Sequence, residues 1–273
     1  VNRAAEVSYQ KSSKHITGGH VTRQTVKNKL RKVNRFKESP LRENKQIKTL
    51  YLVADEDHVA LQDGKNTIVP LIVVYEGKEK ISKDRYRCVN ARYFGRYGIK
   101  TEDLWYEVLD WIDQTYCYEK IEQIYIHGDG APWIKKGLEI IMKSKFVLDK
   151  YHIHKAVLRG TASQPEFRDD IHQAIRVADK DMFTGNIQNL LLNATDHKET
   201  KKIYELKRYI LNNWDGIEIK IREECGGCCA EGQVSHTLSE RLSSRPMGWS
   251  REGLKKMVDV RIYIANKNRV EPK

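Results

Sequence analysis

Two aspartates stand where folding alone gives a carboxylate little reason to be. Asp55 falls inside Leu50-Tyr-Leu-Val-Ala-Asp-Glu-Asp-His-Val-Ala-Leu61, a stretch that reads as a strand, and a charge within a buried strand needs a partner or a metal. Asp129 lies between Gly128 and Gly130 just past a second apolar run, Ile121 to His127, where the backbone can turn sharply and present a carboxylate. If those strands are neighbours, the two like charges approach each other. A divalent cation relieves the repulsion, and oxygen ligands select magnesium or manganese. Asp57 has the parity of Asp55 and so points to the same face of the strand, which leaves the choice of first acid open. Taken singly, Asp55 and Asp57 also fit a polar strand end and Asp129 a plain turn.

Other candidate groups are weaker. Cys225-Gly-Gly-Cys228-Cys229 with His236 has the ligand types of a zinc site, but a second Cys-x-x-Cys pair is missing, and buried or incidental thiols fit better. His127 and His154 have no motif partner and read as structural histidines.

The elements that must position the acids follow from hydrophobic patterning. Leu50–Leu61, Ile68–Tyr75 and Arg85–Phe94 read as three strands in an antiparallel meander,. A helix follows from Thr101 to Tyr116, with Thr101 as its cap and Leu104, Val108, Trp111 and Ile112 on one face,. Ile121–His127 is a fourth strand, Ala131–Met142 a short helix and Lys145–Asp149 a fifth strand, giving a mixed α/β sheet,. Residues 156–224 read as mostly helical, with helices at Phe167–Ala178, Met182–Leu192 and His197–Trp214,.

Charge is distributed unevenly along the chain. The 273 residues carry a net +12, and residues 1–48, with 13 Lys and Arg against 3 acidic residues, account for +10 of it. Such a module suits a polyanion, nucleic acid first; the plainer alternative is a solvated basic tail. Within it, Val7–Ile16 and Val21–Val33 read as helices around a turn containing Gly18 and Gly19. Val26, Leu30 and Val33 form an inward face, Thr22 can cap the second helix, and Arg23, Gln24, Lys27, Asn28 and Arg31 can point outward,. This is the pattern of a helix-turn-helix whose second helix offers side chains able to pair with base edges in the major groove. Residues 35–48, with Pro40, read as a linker, so the expected division is 1–48 and 49–273. Near the C-terminus Arg245, Trp249, Arg251, Lys255 and Lys256 suit phosphate contacts or base stacking, although Leu254–Arg261 fits an ordinary surface helix as well.

Composition excludes two broad classes. With 40% hydrophobic and 32% charged residues the chain is not disordered, and its longest apolar stretch, around Leu71–Tyr75, is too short to span a bilayer. Five cysteines are an odd count, which with no apolar N-terminal segment points to a reducing bacterial cytoplasm and, given the basic module, the nucleoid.

Five ordered motifs together carry a resemblance. Ala54-Asp-Glu-Asp-His-Val59, Gly128-Asp-Gly-Ala-Pro-Trp-Ile134, Leu148-Asp-Lys-Tyr-His152, Ala230-Glu-Gly-Gln-Val-Ser-His236 and Ser243-Ser-Arg-Pro-Met-Gly-Trp249 resemble bacterial insertion-sequence transposases of the ISLre-two type, distant relatives of the Mutator-like transposases. The resemblance covers about residues 6–265. It implies a ribonuclease-H-like fold whose Asp, Asp, Glu triad binds two magnesium (or manganese) ions, with Asp55 first, Asp129 second and Glu231 third. It also implies a helical insertion before the last acid, here about 156–224, and a role for Asp149 and His152 in handling DNA near the scissile end; a local side-chain hydrogen bond is the plainer reading of that pair. The expected activity is transposition: the protein binds element ends, cuts them by metal-dependent hydrolysis and transfers the strand to target DNA, working as a homo-oligomer on double-stranded DNA with no membrane contact. A catalytically inactive or domesticated DNA-binding protein, or a nuclease of the same fold, would share most of these features.

Overall fold

The computed structural model describes residues 2–33, 43–82, 85–223, 225–226, 233–245 and 247–266. At its centre is a five-stranded mixed sheet built from β1 (Thr49–Ala60), β2 (Asn66–Tyr75), β5 (Arg92–Gly95), β6 (Gln123–Gly128) and β7 (Ser144–Leu148), in the order β5-β2-β1-β6-β7. β1 pairs antiparallel with β2 and parallel with β6; β2–β5 is antiparallel and β6–β7 parallel. Strand alternation gives the sheet two different faces.

Even-numbered residues of β1, Leu50, Leu52 and Ala54, join the larger core. Helix α4 (Thr101–Thr115) covers them through Leu104, Val108 and Ile112, one residue per turn and all fully buried,. The same core runs on through α5 (Pro132–Ile140) and α6 (Lys150–Gly160) into α7 (Arg168–Arg176), α8 (Lys180–Leu192), α9 (His197–Leu211) and α10 (Trp214–Arg222). The expected helix His197–Trp214 stops at Leu211, and after Asn212 and Asn213 a further helix that the sequence pattern does not separate from it, α10, begins at Trp214. Thr101 is the first helical residue of α4 rather than its cap, which is Lys100 without a side-chain bond.

On this face α4 and α5 pack closely together. Trp105 Nε1 donates to the Trp133 carbonyl at 2.8 Å, and its ring fills the space beside Gly137, where an added Cβ would lie 2.6 Å from the indole. Gly137→Ala should therefore lower stability by about 1–3 kcal/mol through overpacking, outweighing the roughly 1 kcal/mol that alanine gains over glycine in a helix. Urea unfolding checks this, and a raised midpoint would show that the indole can move aside.

The opposite face carries Val59, Leu61, Val69, Leu71 and Val73. It is covered by α12 (Arg251–Ala265), by a π-helical turn (Ser235–Ser239) running into α11 (Glu240–Leu242), and by α1 (Asn2–Glu6) and α3 (Arg23–Arg31), whose Ala4, Ala5 and Leu30 are fully buried in the same cluster. Between α1 and α3 lies α2 (Tyr9–Thr17), ended by Gly18 at φ +60°. Thr22 caps α3, accepting from the Thr25 amide at 3.2 Å as the sequence suggests, and Val21 N donates to Thr17 Oγ1 at 3.1 Å, closing the turn between α2 and α3.

The third strand differs from expectation. Arg85–Phe94 is not one strand: β4 (Arg85–Val89) pairs with β3 (Gly77–Ser82) in a separate hairpin, and only β5 joins the main sheet. The break is at Asn90, whose φ of +50° no strand can hold,.

Candidate active site

The parallel pairing of β1 and β6 fixes the acids. Val53 lies opposite His127 in the last registered pair, and two residues further on Asp55 and Asp129 leave the pairing side by side. β7 extends the same edge, with Leu148 opposite Gly128 and the Asp149 amide donating to the Gly128 carbonyl at 2.9 Å. In open α/β sheets ligands bind outside the carboxyl ends of parallel strands, and the edge here carries three aspartates.

Local bonds hold these carboxylates in place. Asp129 Oδ1 accepts from the Ala131 amide at 2.8 Å, at the turn into α5, and Asp55 Oδ1 accepts from the Glu56 amide at 2.8 Å. Asp149 caps α6 and contacts His152 Nδ1 at 3.2 Å, so the Asp-x-x-His pair does form a local bond. Trp133 donates its indole N–H to Glu56, tying the start of α5 to β1.

Electrostatics couple the group. Burial lifts the Asp55 carboxyl to about 6 against the Glu56 amide bond and the charge of His152, and the carboxylates of Asp129 and Glu56 push it the same way. Burial opposes charge on His152, but the bond from Asp149 and the charges of Asp55, Asp149 and Asp129 outweigh it and raise its pKa. Asp149 is almost fully buried, yet the same histidine bond holds its pKa below the usual carboxylate value. The result is an acid pair beside a histidine whose charged form the surrounding carboxylates favour.

Asp57 is held differently. It is buried, and its Oδ1 accepts from Ser239 Oγ at 3.0 Å and Ser243 Oγ at 2.7 Å, bonds that fasten the π turn and the residues after α11 to β1. Asp55 is only half-buried.

Glu231 lies outside the described residues, as do Cys228 and Cys229 of the zinc reading; Cys225 is a buried free thiol, and His236 is exposed and bonded to Glu240 at 2.7 Å. The described flanks of this stretch both lie on the Asp55 face of the sheet: a Cβ at Gly226 would come 3.0 Å from the Tyr51 ring, and Gln233 accepts from Tyr93 Oη at 2.6 Å. Among the described residues no three His, Cys, Asp or Glu side chains gather closely enough to hold a metal ion. Asp55 and Asp129 offer two carboxylates, each with one oxygen left over from its local bond.

The residues expected to touch DNA are spread over the surface. Arg23, Gln24 and Asn28 are exposed on α3 and Lys27 half-buried, with Gln24 Nε2 donating to Asn28 Oδ1 at 2.9 Å. Arg31 turns back towards Ser250 Oγ at 3.5 Å and Glu252 at 3.9 Å. Arg245 is exposed. Trp249 is buried, its N–H donated to the Leu242 carbonyl at 3.0 Å and its ring covered by Arg241 at 4.9 Å, so its face is not offered to a base.

Two residues beside the acids carry no sequence signal. Tyr209 from α9 has a buried hydroxyl with no partner among the described residues, and burial plus the charges of Asp129 and Asp149 raise its pKa. Asn213, just before α10, is buried with Oδ1 likewise unpartnered; it packs against Gly130, whose φ of +86° and lack of Cβ admit it. Their only cue in sequence is their place at the junction between helices.

The profile of an uncharacterised protein family, UPF0236, matches residues 1–271. The chain belongs to UPF0236. One UPF0236 protein of Caldanaerobacter subterraneus subsp. tengcongensis is 46% identical over 268 residues, covering 97% of this chain and 57% of the relative, and its name joins eleven loci of that genome. A second from the same organism is 45% identical over 268 residues, covering 97% and 58%. A UPF0236 protein in the vanSb 3′ region of Streptococcus gallolyticus is 26% identical over 261 residues, covering 89% and 56%. The chain thus spans somewhat over half the length of these UPF0236 relatives. No helix among its described residues is long and apolar enough to cross a membrane.

Proposed function

We propose that this UPF0236 chain is the DNA-binding and catalytic part of a transposase that cuts element ends and transfers the freed strand to target DNA. The observation that carries the reading is the placing of Asp55 and Asp129 two residues past the last registered pair of β1 and β6, where their charges act on each other and on His152. Three further points support it. The sheet, with three antiparallel strands followed by two parallel ones, suits a ribonuclease-H-like fold; α2, its turn and α3 suit a helix-turn-helix; and a relative whose name joins eleven loci of one genome suits an element that moves.

Asp55 and Asp129 would hold the cations, with Glu231 as the third ligand. The chemistry that magnesium would supply when held there is activation of the attacking oxygen and stabilisation of the leaving oxygen. The protein's own groups do the positioning. Asp149 orients the His152 ring and favours its charged form, so a cationic donor stands beside the acids to meet a non-bridging phosphate oxygen. The Tyr209 hydroxyl, without another partner among the described residues, can donate to the same phosphodiester. Arg23 and Gln24 on α3 read base edges, with Lys27 on phosphate. The working form is a homo-oligomer on duplex DNA in the bacterial cytoplasm, at the nucleoid.

The test uses the full chain and a duplex carrying the element's terminal sequence, in magnesium, manganese or EDTA. The expected products are ends nicked and joined to a target plasmid only when a divalent ion is present. Cutting without joining would make the chain a nuclease, and no cutting in either metal would reject the catalytic reading.

A further inference from the structure

The acid pair opens at the Asp129 side into a groove of about 850 Å³ walled by α5, α6 and α9. Beyond residue 48 the chain is nearly neutral overall, yet three separate helices bring six cations to this one groove. Lys135 and Lys136 come from α5, Lys155 and Arg159 from α6, and Lys202 and Arg208 from α9. Three carboxylates also line it. Glu139 pairs with Lys136 at 2.5 Å and Glu205 with Arg159 at 2.9 Å, which leaves Asp129 at the site end. Lys155, Lys202 and Arg208 have no carboxylate partner among the described residues, and Lys135 donates to the Asn212 carbonyl at 3.0 Å. The groove is therefore positive along its length and negative only where it meets the acids.

A second observation comes from the inner end. Asn213 is 6% exposed, and among the described residues neither its Oδ1 nor the buried Tyr209 hydroxyl beside it has a partner. Buried polar atoms without partners are rare and are commonly completed by water or a ligand. The lining offers two rings, His152 and Tyr209, both near enough to Asp129 to feel its charge, so the rest of the groove is not built to stack successive bases,. The cations without a carboxylate partner among the described residues are spread over two helices, α6 and α9, which fits an extended anion rather than a compact one,.

We propose that this groove is the track of a nucleic-acid backbone leading away from the acid pair, with phosphate oxygens meeting Lys155, Lys202 and Arg208. The proposal rests on reading Asp55 and Asp129 as a phosphodiester site. It adds a second DNA contact surface, separate from α3, on the helices between the fifth strand and the last acid.

The experiment measures binding without metal, so that it does not depend on cleavage. The full chain in EDTA is titrated into fluorescein-labelled 30-mers, one duplex and one single-stranded, at several salt concentrations and followed by anisotropy. A triple variant Lys155→Gln, Lys202→Gln, Arg208→Gln is compared with a charge-matched triple at exposed positions outside the groove, Lys100→Gln, Lys180→Gln, Lys198→Gln. Circular dichroism confirms folding, and Lys155→Arg with Lys202→Arg should bind like wild type. The groove triple should lose at least about tenfold in affinity and reduce the salt slope by about 2–3, while the control barely changes. Loss in the duplex arm, the single-strand arm or both supports the track and tells which form runs in it. Equal behaviour of the two triples overturns it, as does a loss confined to a poly-glutamate competitor, which would make the groove a seat for an acidic peptide. Failure of the transposase reading shows separately, as intact binding with no cutting in magnesium.

Discussion

Asp55→Asn should reduce magnesium-dependent strand cleavage by about a thousandfold or more, since losing one carboxylate from a two-metal site removes several kcal/mol of charge stabilisation and roughly 4 kcal/mol corresponds to that factor. DNA binding should stay nearly unchanged, because the substituted group is an anion that contributes nothing to phosphate attraction. Asp129→Asn should behave alike. The informative comparison is Asp57→Asn, on the same face of β1 but bonded to Ser239 and Ser243. Asparagine keeps an acceptor for those hydroxyls, so the variant should retain cleavage and shift stability by about 1 kcal/mol. Single-turnover cleavage beside urea unfolding separates the two effects. A dead Asp57→Asn enzyme that is as stable as wild type, with an active Asp55→Asn enzyme, would exchange the roles of the two aspartates.

The second large effect concerns Arg241. It is 5% exposed, its Nε donates to the Ala4 carbonyl at 3.2 Å, and its guanidinium lies between Tyr9 at 5.3 Å and Trp249 at 4.9 Å. One cation thus joins α1, α2 and the segment before α12. Arg241→Ala removes a hydrogen bond from a charged group and two desolvated cation–π contacts, and leaves a cavity; set against the relieved cost of burying the charge, the net loss should be about 3 kcal/mol. Urea unfolding should show it, with early trypsin cleavage at Lys11 and Lys14 as the first helices loosen. Arg241→Met, which refills the space without the charge, should recover about half. A loss below about 1 kcal/mol in the alanine variant would mean that apolar packing of Ala4, Ala5 and Leu30 holds these helices unaided.

Much of this arrangement was legible in the residues. The apolar runs of β1, β2, β6 and β7 declare themselves, and the closeness of Asp55 and the glycine-flanked Asp129 follows once the first and fourth of the expected strands are neighbours, as β1 and β6 are. β3 is illegible for a physical reason: Gly-Lys-Glu-Lys-Ile-Ser has no apolar alternation because its hairpin stands off the core and buries little. Arg85–Phe94 then looks continuous, since a single left-handed residue, Asn90, leaves no trace in hydrophobicity. Trp249 shows the reverse problem. An aromatic between basic residues has the composition of a nucleic-acid contact, and only the fold reveals that Arg241 covers it. Tyr209, Asn213, Lys202 and Arg208 are invisible because their proximity to Asp129 depends on α9 folding back onto α6 after two intervening helices.

The two-faced sheet has a consequence for how the chain is made. The face bearing Leu50, Leu52 and Ala54 is covered by helices that leave the ribosome in order and close by, so that half can consolidate during synthesis,. The Asp55 face is covered by α1, α3 and α12, whose contacts join residues about 250 positions apart, and such long-range contacts form late. A half-made chain therefore holds its acids on an open, uncovered surface. The Asp55 face is closed only once α12 has been made and has packed beside α1 and α3.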